Sequence, residues 1–129
     1  MTVKGGLNLY NLKIRELPRG LKVKGSLIAC RTQINELPED IEVGGDLDIS
    51  YTQISQLPEI LTVKGSLDIS CTNITELPDS LIVGGSLYLI GTPILELPEN
   101  LTVIGDLDVS GTHISELPKS LKVGGTIYR

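Results

Sequence analysis

Leu61 to Ser80 reads LTVKGSLDISCTNITELPDS. In this stretch Leu61, Val63, Gly65, Leu67 and Ile69 alternate with Thr62, Lys64, Ser66, Asp68 and Ser70. Apolar residues at every second position mark a β-strand with one buried face. Gly65 falls on the inward side, where a residue without a side chain suits a corner with no interior space. The run therefore divides into two short strands, about Leu61–Lys64 and about Ser66–Ser70. Thr72 and Ile74 resume the alternation after a one-residue slip at Cys71. Leu77 anchors a turn stiffened by Pro78, and Asp79-Ser80 leads onward. The spacing lacks a helical period, and a Gly and a Pro in each unit leave no length for a helix.

Outward from this stretch the same unit recurs every twenty residues. Leu7, Leu27, Leu47, Leu67, Leu87, Leu107 and Ile127 share one register, and Val3 through Val123 share another. Gly5 through Gly125 form a third, and six Leu-Pro pairs run from Leu17-Pro18 to Leu117-Pro118 without insertion or deletion. A fixed short period is the mark of a solenoid, in which each coil buries its apolar side on its neighbours. The 129 residues make one repeat domain of about six and a half coils. The coils are about 1–20, 21–40, 41–60, 61–80, 81–100 and 101–120, with 121–129 a terminal half coil. The predicted class is all-β, with seven stacked strands beginning near Leu7. Positions equivalent to Leu61, Val63, Leu67, Ile69, Ile74 and Leu77 form the core.

Composition fits a thin aliphatic core, because Phe and Trp are absent and only four Tyr occur. The lack of aromatics also argues against single-stranded nucleic acid, which is bound on stacking platforms. Cys30 and Cys71 lie two coils apart, about 10 Å at strand spacing, so reduced thiols are expected. No secretory leader or apolar membrane span is visible, and a soluble, cytoplasmic protein is expected.

The segment LDISCTNITELP resembles the core of a bacterial leucine-rich repeat, L-x-L-x-x-N-x-L-x-x-L-P. Leu67, Ile69, Thr72, Ile74, Leu77 and Pro78 match in order, as do Leu47, Ile49, Thr52, Ile54, Leu57 and Pro58. The Leu-Pro step is similar to the family's bacterial effector type. The resemblance implies a right-handed coil and a protein-binding role in a bacterium or bacteriophage. Thr stands where the family has Asn, and Leu12 does so in the first coil. The back half of each coil, L-x-V-x-G, reads as a second strand, so little curvature is expected. By the family register, Thr32, Thr52, Thr72, Thr92 and Thr112 point inward and bond backbone groups of adjacent coils.

No catalytic set assembles from the sequence. His113 is the lone histidine and matches Gln33, Gln53, Asn73 and Pro93, an outward register. The Gly-Gly pairs lack the flanking signature of a phosphate loop. No enzyme activity, cofactor or metal is expected. Charge is uneven along the chain. Residues 1–31 carry seven Lys or Arg against Glu16, whereas residues 32–118 carry fifteen acids against Lys64. Lysines near the ends suit exposed sheet edges. Glu36, Glu76, Glu96 and Glu116 form one acidic register; Asp48, Asp68 and Asp108 form another, flanked by Asp46 and Asp106.

These features predict a non-enzymatic interaction module that binds a protein, one with a basic surface being favoured, through its stacked-strand face. The partner-binding residues are Asp48, Ser50, Asp68, Ser70, Tyr88, Ile90, Asp108 and Ser110, with Tyr88 and Ile90 as adhesive exceptions in a polar field. One alternative is a phage-encoded inhibitor of a bacterial defence protein or nuclease, acting through the acidic middle. A remoter one is a self-assembling structural or ice-binding solenoid. Neither nucleic acid nor membrane is an expected partner, and a monomer is favoured over an edge-mediated dimer.

Overall fold

The computed structural model describes every residue from Met1 to Arg129. It is an all-strand solenoid without helix, built as two parallel sheets of seven strands each. The first sheet stacks Thr2–Val3, Lys22–Val23, Glu42–Val43, Thr62–Val63, Ile82–Val83, Thr102–Val103 and Lys122–Val123. The second stacks Leu7–Asn8, Leu27–Ile28, Leu47–Asp48, Leu67–Asp68, Leu87–Tyr88, Leu107–Asp108 and Ile127–Tyr128. Each strand pairs with its counterpart one repeat away, as Val63 does with Val83 and Leu47 with Leu67. The twenty-residue period of the sequence is thus the period of the backbone.

The strands are two residues long, shorter than the alternation suggests. Bends cut them at both ends. One coil turns at Lys64-Gly65, again at Ser70-Cys71, and again at Asp79-Ser80. The coil is therefore three-sided, with the third side, Thr72 to Pro78, free of strand. The slip at Cys71 has a backbone cause. Asn11, Arg31, Tyr51, Cys71, Gly91 and Gly111 all have positive φ, between 55° and 70°. The left-handed residue at this corner of each coil reverses the inward and outward sense of the residues after it.

The core is the set of ladders that the pattern outlines. Leu61, Val63, Leu67, Ile69, Ile74 and Leu77 are all buried, and so are their equivalents in the inner coils. In the first and last coils the same ladders are only half covered, as at Leu7, Ile14, Leu121 and Val123.

Gly65 has no side chain because of the coil before it. A β-carbon there would lie 2.8 Å from the carbonyl carbon of Gly45 and 2.9 Å from the amide nitrogen of Asp46. The obstruction is the preceding coil, its Asp46 carboxylate oxygen first and then its backbone, stacked at 3.0 Å through the Gly65 N–H donating to the Gly45 carbonyl, and not a crowded interior. Gly5 has nothing within 4 Å of such a carbon.

The residue after each glycine forms a side-chain ladder. The Ser26 hydroxyl accepts the Asp46 N–H at 2.9 Å, and the Asp46 carboxylate accepts the Ser66 N–H at 2.8 Å. Ser66, Ser86 and Asp106 continue it to the amides of Ser86, Asp106 and Thr126. Asp46 and Asp106 are therefore backbone acceptors, which explains why serine and aspartate interchange in this register.

The threonine row points inward, but its partners differ from those expected. Thr32, Thr52, Thr72 and Thr92 are buried, and each hydroxyl donates to the carbonyl three residues earlier in its own coil. For Thr72 that carbonyl is Ile69, at 2.8 Å. The hydroxyls close the left-handed corner within one coil and do not tie neighbouring coils together. No helix is long and apolar enough to cross a membrane.

Candidate interaction face

The outer face of the second sheet carries one side chain per coil in strict register. Asp48 stands beside Asp68, Asp68 beside Tyr88, and Tyr88 beside Asp108. All four are half-buried. The aspartates also have a local task. One carboxylate oxygen accepts the N–H two residues on, from Ser50 at 3.0 Å, Ser70 at 2.9 Å and Ser110 at 2.9 Å. Asn8 does the same for Tyr10 at 3.0 Å. These side chains hold the backbone as it enters the left-handed corner, which is why short Asp and Asn recur there.

Asp68 is the most perturbed of the row. Burial raises its carboxyl above the usual carboxylate range, and the charges of Asp48 and Asp108 push the same way. Hydrogen bonding from Ser70 opposes the rise. Asp68 is thus less solvated than a carboxylate on an open surface.

The structure revises the role of two expected contact residues. Ser50 and Ser70 are each only 6% exposed, so they face the fold and not a partner. The Ser50 hydroxyl donates to Asp48 at 2.6 Å, while the Ser70 hydroxyl has no hydrogen-bond partner. Simple alternation places both outward; the turn that begins at these residues rotates them in. Ser110 is half-buried, and Ile90 in the same register is exposed.

Beside this face lies a group that the sequence did not single out. The Arg31 guanidinium sits over the Tyr51 ring, 4.2 Å from its centroid. Both belong to the left-handed register, so the corner turns them out to solvent one coil apart. The Tyr51 phenol is pushed above its ordinary range, chiefly by the Cys71 side chain beside it. A signal for this corner was present in the sequence: Asn11, Gly91 and Gly111 share the register, and these residue types favour positive φ.

Cys30 is buried and Cys71 half-buried, and both are free. Burial and the neighbouring Asp48 carboxylate raise the Cys30 thiol. His113 is exposed, in line with its register. No three His, Cys, Asp or Glu side chains converge as a metal site would require. The main concavity lies elsewhere, an open groove across the first sheet over Gly44.

What the second-sheet face offers is a rigid array. Aromatic and aliphatic groups at Tyr51, Tyr88 and Ile90 are set among carboxylates, with a stacked guanidinium at the border. No family model matches the chain, and no curated protein matches it.

Proposed function

We propose that the chain is a non-enzymatic interaction module that binds a protein through the outer face of its second sheet. The observation that carries this reading is the placement of Tyr51, Tyr88 and Ile90. With Ile28 and Tyr128 in the strand register itself, they are the large apolar groups on or beside a face that otherwise carries Asn8, Asp48, Asp68 and Asp108. Tyrosine offers contact area at little entropic cost, and binding energy concentrates on such anchors. Asp48, Asp68 and Asp108 surround them with negative charge that steers a basic partner. Ser110 contributes at the rim, and Ser50 and Ser70 support the aspartates from beneath. The resemblance to bacterial leucine-rich repeats supports the same role and a bacterial or phage origin, with action in the bacterial cytoplasm.

A second reading rests on a different observation. Glu36, Glu76, Glu96 and Glu116 are exposed, and none of them forms an ion pair. An acidic rod of this kind fits the nucleic-acid groove of a nuclease or defence protein as a phage-encoded inhibitor. Capture of partners from a bacterial lysate, followed by binding kinetics at two salt concentrations, separates the two. Under the first reading Tyr88→Ala raises the dissociation rate at least tenfold. Under the second, the triple change of Glu76, Glu96 and Glu116 to Gln lowers the association rate and flattens its salt dependence, while Tyr88→Ala leaves the kinetics unchanged. Unchanged kinetics in both variants would remove both surfaces from consideration.

A further inference from the structure

The fold sorts charge by face in a way that the linear sequence hides. The outward registers of the first sheet hold Lys4, Lys22, Lys24, Lys64 and Lys122, with Glu42 as the one acid. Lys22 meets Glu42 at 3.9 Å, and the other four lysines have no carboxylate partner. Ile82 and Ile104 stand among them, 58% and 62% exposed. Gly44 leaves a gap between Lys24 and Lys64, which line the two sides of an open groove whose floor edge also carries Glu39, Asp40 and Glu42.

From the second coil onward the strandless third side has the opposite sign, whereas Lys13 and Arg15 stand on it in the first. Glu36, Glu76, Glu96 and Glu116 project from it without ion pairs, and Leu95 beside them is 66% exposed. Both sides repeat with the same coil. Lys24 and Lys64 are two coils apart, and so are Glu36 and Glu76, or Glu76 and Glu116. The spacing is about 10 Å in each case, so a lysine pair on one molecule meets a glutamate pair on another without distortion.

We infer that the first-sheet face is a docking surface for the third side of a second copy of this chain. The lysines engage the glutamate row, and Ile82 and Ile104 cover Leu95. The contact is heterologous, since the dimer keeps one basic and one acidic side unused, and association therefore continues past the dimer into a row. This surface is separate from the second-sheet face, which stays open to a partner along the row.

Sedimentation velocity on the full chain tests this. In about 0.05 M salt the protein should form species larger than the 13.9 kDa monomer that grow with concentration. In about 1 M salt, where screening acts within about 3 Å, they should dissociate. Lys24→Glu with Lys64→Glu should leave the chain monomeric, as should Glu36→Lys with Glu76→Lys, the pair whose register sets Leu95 opposite Ile82 and Ile104. An equimolar mixture of the two variants should associate again, because each supplies the sign that the other has lost. Circular dichroism matching the wild type shows that each variant is folded. Tyr88→Ala should leave assembly unchanged, which keeps this test distinct from that of partner binding. A wild-type chain still monomeric at about 1 mM in low salt would overturn the inference. So would a mixture that stays monomeric, or wild type that floats with phosphatidylserine vesicles while remaining monomeric without them.

Discussion

A side-chain oxygen of Asp46 occupies the place that a β-carbon on Gly65 would take, and that oxygen accepts the Ser66 N–H at 2.8 Å. The glycine row and the serine/aspartate row are thus two halves of one device. Each glycine leaves room for the acceptor of the preceding coil to reach the next amide.

Gly65→Ala should destabilise the fold by about 1–3 kcal/mol, since its methyl must displace backbone atoms of Gly45 and Asp46. Gly5→Ala should cost far less, because nothing lies within 4 Å of a β-carbon placed there. Chemical unfolding of the two variants measures the contrast, and equal losses would contradict the interlock.

In the ladder itself, Asp46→Ala removes the acceptor of the Ser66 N–H and should cost about 1 kcal/mol. Asp46→Ser should retain most of the stability, since Ser26, Ser66 and Ser86 serve in the same register.

Thr72→Val should cost about 1–3 kcal/mol by leaving the buried Ile69 carbonyl without a donor. Thr72→Ser should recover most of that. The same unfolding measurements decide it. If the threonines joined neighbouring coils instead, the Ile69 carbonyl would be unaffected.

How far the sequence could be read depends on which of these interactions have a period. The Val63 and Leu67 ladders are legible because period two and period twenty coincide there, and both sheets result from them. The inward direction of Thr72 is legible too, but its partner is not. Spacing tells which way a side chain points, and the left-handed backbone at Cys71 decides which carbonyl it reaches. Ser70 shows the same limit, since alternation sends it outward and the turn brings it in. The Arg31–Tyr51 stack depends on that corner as well. Charge read along the chain shows basic ends and an acidic middle. Only the folded coil places Lys24 and Lys64 on one side and Glu76 on another.

The pH dependence of stability should carry the mark of Asp68. Its carboxyl is raised in the fold, so the folded state holds that proton more tightly than the unfolded chain does. The resulting stability is complete below the unfolded carboxyl's range and is lost as pH rises through the window up to the raised folded value. Asp68→Asn should remove this contribution to the slope and leave the chain slightly more stable at neutral pH. The amide oxygen can still accept the Ser70 N–H, as Asn8 does for Tyr10. Solvent screening keeps the effect below about 1 kcal/mol. Urea unfolding between about pH 3 and pH 7 reads it, since the window opens near the ordinary aspartate range.

Native thiol labelling should distinguish the two cysteines. Cys71 is half-buried beside Tyr51 and should react first; Cys30 is buried with a raised thiol and should wait for unfolding. Both should be titrated in the unfolded chain without reductant.

The stacking of one coil per twenty residues underlies both proposed surfaces, and pulsed electron spin resonance measures it directly. Spin labels would pair exposed Thr2 with exposed Glu42, Ile82 or Lys122 in turn, which lie two, four and six coils away on the first sheet. At about 4.8 Å per coil, the separations should rise in equal steps of about 10 Å. Separations that fail to grow with coil number, or that grow unevenly, would contradict the solenoid.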